Sequence, residues 1–177
     1  MKMKKVRIGL LGAGRIGKLH GENLAHAVPE AELYAVADPF MNDATRSWAA
    51  DMGIEKCYDD PEKIFNDPSI EAVFICSSTN THAEFIMRAA KAGKHIFCEK
   101  PIDYDIDKIK KLLALVEEKG VKFQVGFNAA LTTTTRQSLT LSRTARSAIR
   151  TSLSFLPVTR SRPRHLMLRF PAVSSTT

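Results

Sequence analysis

Val6-Arg7-Ile8-Gly9-Leu10-Leu11-Gly12-Ala13-Gly14-Arg15-Ile16-Gly17 is the stretch on which the fold turns. A β-type apolar run (Val6, Ile8, Leu10, Leu11) enters a Gly-x-Gly-x-x-Gly turn, and a helical pattern (Ile16, Leu19, Asn23, Leu24) leaves it. A second apolar run, Leu33-Tyr34-Ala35-Val36-Ala37, stops on Asp38, 21 residues past Gly17. The glycine triplet alone is common. The order strand, turn, helix, strand, acid gives it chemical meaning. Gly12 allows the tight turn, Gly14 carries no side chain to keep a pyrophosphate off the backbone, and Gly17 lets the helix lie close to the strand. The residues from Gly12 through Ala13, Gly14, Arg15 and Ile16 to Gly17 therefore read as a phosphate cradle at a helix N-terminus, where free N–H groups and the positive dipole end meet. Asp38 is placed to accept both ribose hydroxyls of an adenosine and to repel a 2′-phosphate, so NAD is expected over NADP. Arg15 and Arg46 are the cations that pull the other way. The bland alternative, a glycine-rich turn that binds nothing, does not explain the five elements in order.

From there to Asn128 strands and helices alternate. Asn42–Met52 reads as a helix, Cys57-Tyr58 as a short strand, and Asp60-Pro61 opens a brief helix through Phe65. Ala72–Cys76 is a buried strand. A helix over Thr81–Ala92 is expected to start on a capping box of Thr81 with Glu84. His95–Cys98 is a strand, Asp105–Lys119 a long amphipathic helix closed by Gly120, and Lys122–Phe127 a last strand. The pattern predicts an α/β fold, a doubly wound parallel sheet of the Rossmann type, over residues 1–128.

Charge divides the chain at the same point. Residues 1–128 hold 18 Lys and Arg against all 19 acids, while 129–177 hold eight Arg, no Lys and no acid. The formal net charge of +7 is a property of the tail. That tail also lacks Gly, Asn, Cys, Tyr and Trp, and Ser and Thr supply 18 of its residues. By composition it is a disordered, low-complexity segment. Cys57, Cys76 and Cys98 show neither a metal-ligand spacing nor a disulfide framework, so no metal is expected and a reducing compartment is. The start Met1-Lys2-Met3-Lys4-Lys5 imitates a signal peptide, but Arg7 and Arg15 break the apolar run that follows. No run approaches membrane-spanning length. A cytoplasmic location is the expectation.

Gly12–Gly17, Asp38-Pro39, Ser77–His82, Ala92-Gly93-Lys94-His95, Glu99-Lys100-Pro101 and Gly126-Phe127-Asn128 together resemble the glucose–fructose oxidoreductase/inositol dehydrogenase family. Arg15-Ile16-Gly17-Lys18, Tyr58-Asp59-Asp60 and His95-Ile96-Phe97-Cys98-Glu99-Lys100-Pro101 resemble most its inositol 2-dehydrogenase branch. The resemblance implies that Lys100 is the catalytic lysine beside the nicotinamide, that a cis bond precedes Pro101, and that Ser77, Thr79, Asn80, His82 and Glu99 line the cofactor cleft. It also implies a cyclic polyol such as myo-inositol as the substrate of intact relatives. An ammonium near a reacting carbinol is chemically apt, since it hydrogen-bonds the developing carbonyl oxygen. Taken alone, Lys100 is an ordinary surface lysine after a strand, and Thr81 and His82 belong to a helix start. Cys76 and Cys98 read as small buried apolar residues.

The tail departs from the family. One coding of the family's Arg-Arg-Phe-Asp-His-Asn-Tyr, with its first base dropped, reads Ala-Ala-Leu-Thr-Thr-Thr-Thr, the residues Ala129 to Thr135. A coding of Ser-Gly-Gly-Ile-Phe-Tyr-Asp-Met-Thr shifted the same way reads Pro-Ala-Val-Ser-Ser-Thr-Thr and then a stop, the residues Pro171 to Thr177. Residues 129–177 are thus expected to be an out-of-frame translation without a substrate domain. The family's Asp-x-x-x-His stretch does not follow Asn128, and His165 stands outside any such pattern. Catalysis is expected to be impaired and the oligomer of intact relatives lost. Two other readings compete: a nucleotide-binding module without chemistry, and a nucleic-acid binder using the basic tail. Phe155 and Phe170 are the tail's only aromatics to stack on bases, which disfavours nucleic acid.

Overall fold

A computed structural model describes residues 4–126. Eleven elements alternate: β1 (Val6–Leu11), α1 (Arg15–Ala27), β2 (Ala31–Ala37), α2 (Asp43–Asp51), β3 (Lys56–Tyr58), α3 (Glu62–Phe65), β4 (Ala72–Ile75), α4 (Thr79–Lys91), β5 (His95–Glu99), α5 (Ile106–Lys119) and β6 (Phe123–Gly126). All strand pairings are parallel, and the sheet order is β3-β2-β1-β4-β5-β6. The chain winds outward from β1 to one edge, returns, and winds from β4 to the other. The crevice between the carboxyl ends of β1 and β4 is the switch point where such sheets hold ligands.

Alternating side chains load the two faces separately. One face packs Leu11, Ala37, Val73, Ile75, Ile96 and Cys98 against α3, α4 and α5. The other packs Ile8, Leu10, Leu33 and Val36 against α1 and α2. The central strands are covered on both sides, as an all-parallel sheet requires.

The ends of the elements follow their local chemistry. Asn42 caps α2 by accepting the Thr45 N–H, and Asp105 caps α5 by accepting the N–H groups of Asp107 and Lys108. Gly120 ends α5 in the left-handed region at φ 64°. The capping box expected at Thr81 does not form. Ser78 stands at the N-cap of α4, the helix starts at Thr79, and the Thr81 hydroxyl lies 2.7 Å from both the Ser77 hydroxyl and the Ser78 carbonyl. A buried lysine ties the loop before β4 to β5. Lys94 is 4% exposed and donates to the carbonyls of Asp67 and Ile70 at 2.7 and 2.8 Å. Burial holds its pKa below the ordinary lysine value.

The inward stripe of α1 differs in part from the Ile16, Leu19, Asn23, Leu24 pattern. Leu19 is 52% exposed and Asn23 is exposed, whereas Gly17, Gly21 and Leu24 are buried. The helix lies too close to its neighbours for larger groups. A Cβ on Gly21 would sit 2.8 Å from the Trp48 ring of α2. The boundary near residue 128 and the expected out-of-frame tail, 129–177, lie outside the described residues.

Candidate functional site

The carboxyl edge of the sheet gathers most of the residues picked out by their sequence pattern. Gly12 follows β1 at φ 94°, a conformation side chains rarely adopt, and a Cβ there would come within 2.7 Å of the Ser77 backbone. The turn after β1 therefore presses directly on the loop after β4. At Gly17 a Cβ would overlap the Gly12 carbonyl. Both glycines are demanded by the protein's own packing.

Gly14 is different. It occupies the N-cap of α1 at φ −68° and ψ −174°, which any residue adopts, and a Cβ there meets nothing within 4 Å. No side chain caps this helix, and no acid stands in its first turn. The N-terminal amides of α1 thus have no side-chain cap and stand behind an exposed glycine, with Arg15 exposed and Ile16 half-buried beside it.

Asp38 follows β2 next to this turn. Its Oδ2 accepts the Ala13 N–H at 2.6 Å and its Oδ1 accepts the Phe40 N–H at 2.8 Å. Arg46, the cation weighed as a phosphate partner, instead reaches toward the Cys57 carbonyl at 3.5 Å.

On the β4 side, Ser77 and Thr79 are half-buried and Asn80 is exposed at the start of α4. His82 lies deeper than a lining residue would. It is 2% exposed, with Nδ1 2.7 Å from the Pro101 carbonyl and Nε2 3.0 Å from the Ser77 carbonyl. This ring bridges the loop after β4 and the loop after β5. The Lys100–Pro101 peptide is cis, as the resemblance implied. Lys100 is exposed, while the preceding Glu99 is 7% exposed. Glu99 turns inward. Its Oε1 lies 2.7 Å from His20 Nε2 of α1, and its Oε2 accepts the Lys100 main-chain N–H at 3.2 Å. His20 was not among the residues singled out from the sequence. The available signal was a polar ring one turn past Gly17 on a helix face otherwise built of small residues.

Cys76 directly follows β4, and Cys98 is the next-to-last residue of the adjacent strand β5. Burial raises both thiols, Cys76 to about 12, with the Glu99 charge adding to the effect. They are packing residues, not nucleophiles. Among the described residues no helix is long and apolar enough to cross a membrane.

Comparison with known proteins agrees with this geometry. A family described as an oxidoreductase family with an NAD-binding Rossmann fold matches residues 6–127. The chain is 42% identical over 123 residues to the myo-inositol 2-dehydrogenase of Thermotoga maritima, covering 70% of this chain and 36% of that protein. It is 46% identical over 123 residues to the inositol 2-dehydrogenase of Rhizobium meliloti, with the same coverage of each. A crystal structure of scyllo-inositol dehydrogenase from Lactobacillus casei with bound NAD(H) and scyllo-inositol superposes with a TM-score of 0.72 at 32% identity, covering 81% of this chain and 42% of that one. The chain thus spans 36% of the length of the two curated relatives it matches here.

Proposed function

Because the chain belongs to the oxidoreductase family with an NAD-binding Rossmann fold, we propose that residues 1–128 form the dinucleotide-binding domain of an NAD-dependent cyclic-polyol dehydrogenase of the inositol 2-dehydrogenase type. One observation carries the proposal. Gly14 is the fingerprint glycine that the protein's own packing does not need, and it stands before the uncapped N-terminus of α1. A turn built only for itself would tolerate any residue there. A cradle that receives a pyrophosphate would not.

The residues fit the cofactor in three places. The Gly12–Gly17 amides and the α1 dipole would hold the pyrophosphate. Asp38, at hydrogen-bond distance from the turn, would take the adenosine ribose hydroxyls and disfavour a 2′-phosphate, so NAD is preferred to NADP. Ser77, Thr79 and Asn80 would border the nicotinamide half, with His82 and Glu99 supporting it from beneath. Bound there, the nicotinamide supplies a hydride acceptor.

Lys100 follows β5 at the same edge and is the residue that would act on substrate. Its Nζ would donate a hydrogen bond to the carbinol oxygen and hold that oxygen as its proton leaves to a neighbouring base. No acid follows residue 128 in this sequence, so the 177 residues supply Lys100 with no Asp-x-x-x-His partners downstream. Cofactor binding is therefore the proposed behaviour of residues 1–128, and loss of one base after the Asn128 codon the proposed origin of residues 129–177.

Fluorescence titration of the full chain with NADH, followed by an assay for NADH formation from NAD and myo-inositol, tests both parts. Absence of NADH binding removes the proposal. NADH formation that follows myo-inositol concentration supports the cyclic-polyol reading, and binding of NADH without it leaves only the dinucleotide-binding part standing.

A further inference from the structure

We propose that His20 is a positioning residue for Lys100, acting through the Glu99 carboxylate. The inference rests on the reading of Lys100 as the substrate-facing amine, and it adds a device by which the cradle helix governs that amine.

Glu99 is the last residue of β5, and its side chain is only 10% exposed. A carboxylate so placed is costly unless both oxygens have partners. Here each oxygen has one of a different kind. Oε1 is 2.7 Å from His20 Nε2 on α1, and Oε2 accepts the main-chain N–H of Lys100 at 3.2 Å. The carboxylate is therefore fastened at one end to the helix that heads the Gly12–Gly17 turn. At the other end it is fastened to the peptide that presents Lys100.

Two further features serve this arrangement. The His20 ring is itself fixed, edge-on to Phe97 at 5.1 Å and Phe74 at 6.1 Å, and those two rings stack at 4.5 Å. The neighbouring strand leaves room for the acid, since a Cβ on Gly126 would lie 3.0 Å from Glu99 Oε1 and 2.7 Å from Phe97 Cζ.

The chemistry that follows is specific. Lys100 is the cation adjacent in sequence to Glu99. While His20 occupies Oε1, the carboxylate is satisfied and the Lys100 ammonium stays exposed at the sheet edge. Without His20, Oε1 loses its partner, and the Lys100 ammonium, one residue on in sequence, is drawn to it. It would fold back onto Glu99 and leave the position from which it meets a substrate.

Amine-selective acetylation of the full chain, read peptide by peptide by mass spectrometry, tests this without any cofactor. Lys110, an exposed lysine of α5, serves as the internal reference. His20→Leu is expected to lower Lys100 labelling relative to Lys110 by about threefold or more, because an amine paired with a carboxylate is less often deprotonated. His20→Gln, which keeps an N–H donor, should restore most of it. The double variant His20→Leu with Glu99→Gln should also restore it, because the capturing anion is gone. A general disturbance of the loop would not be rescued that way. If the leucine variant fails to fold, His20→Asn, polar but too short to reach Glu99, must show the same drop.

A cooperatively folded variant lacking the histidine whose Lys100 labelling matches wild type overturns the inference, and so does a drop that Glu99→Gln does not reverse. Protection of Lys100 by added NADH is the separate arm. Its failure beside an intact cofactor-free pattern sinks the cofactor reading and leaves the His20–Glu99 brace standing.

Discussion

Asp38 Oδ2 accepts the Ala13 main-chain N–H across 2.6 Å, so the acid that follows β2 is bonded to the backbone of the glycine turn after β1. Its other oxygen holds the Phe40 N–H at 2.8 Å. The carboxylate ties its own loop to the turn after β1 and stands beside the uncapped α1 terminus. A ribose diol would join contacts that already exist, which lowers the ordering cost of binding.

Asp38→Ala removes both acceptors at once. Hydrogen bonds to an ionised group are worth about 1.5–3 kcal/mol each when buried and less at a half-exposed site, so a loss of about 2 kcal/mol in unfolding free energy is expected. NADH should bind at least about tenfold more weakly, while NADPH loses less because a repulsive charge has gone. Paired titrations with the two dinucleotides check this. An unchanged NADH-to-NADPH ratio would remove Asp38 from the cofactor assignment.

Gly14→Ala and Gly17→Ala should separate binding from folding. At Gly14 the backbone suits any residue and the added methyl meets no protein atom. Stability should change by less than about 1 kcal/mol, since the restriction of the unfolded chain by alanine offsets alanine's weaker preference for the N-cap, while NADH affinity falls by about tenfold or more. At Gly17 the methyl would overlap the Gly12 carbonyl, and the cost is a stability loss of about 1–3 kcal/mol or more. Thermal melts and NADH titrations of the two variants give opposite rankings if the cradle is real.

The sheet and its winding were legible because strand runs, glycines and caps all repeat the same local message, and a parallel βαβ chain leaves few ways to assemble them. The inner face of α1 was not. The helical pattern put Leu19 and Asn23 beside Leu24 on the inner face, but a helix that touches backbone and an indole ring buries glycines, which carry no hydrophobic signal. His82 was visible as a residue of the loop after β4, yet its two carbonyl partners, Ser77 and Pro101, depend on how two loops meet in space. The pairing of His20 with Glu99 spans 79 positions of sequence and leaves no local trace.

Thiol chemistry offers a check on the sheet edge. Burial pushes Cys76 up to about 12, and Cys98 also lies well above the ordinary thiol. The thiolate fraction of Cys76 at pH 8 is therefore about a thousandfold below that of a free cysteine. Iodoacetamide at that pH should leave Cys76 and Cys98 unmodified in the native chain and alkylate both in urea. Fast native labelling of Cys76 would mean that the edge between β4 and β5 is open.

Acid should weaken the fold through Asp67, which sits in the loop before β4. The Ser69 hydroxyl chiefly, then its N–H and the Lys56 ammonium, hold this carboxyl below its ordinary value near 3.8, at about 2. The folded chain thus takes up this proton only near pH 2, whereas the unfolded chain takes it up near pH 4. The stabilisation is complete above about pH 4 and is lost as pH falls from there toward 2. Glu71 and Asp105 are also held low by their partners, so the total acid slope is shared. The difference between variants isolates Asp67. Ser69→Ala removes the largest cause, moves the folded carboxyl toward its ordinary value, and should flatten the decline in unfolding free energy between pH 4 and 2 by about 1 kcal/mol after allowance for solvent screening. Urea titrations across that range, with Asp67→Asn as the variant that cannot titrate, give the measurement. Equal acid slopes in wild type and Ser69→Ala would show that the hydroxyl does not hold the carboxylate.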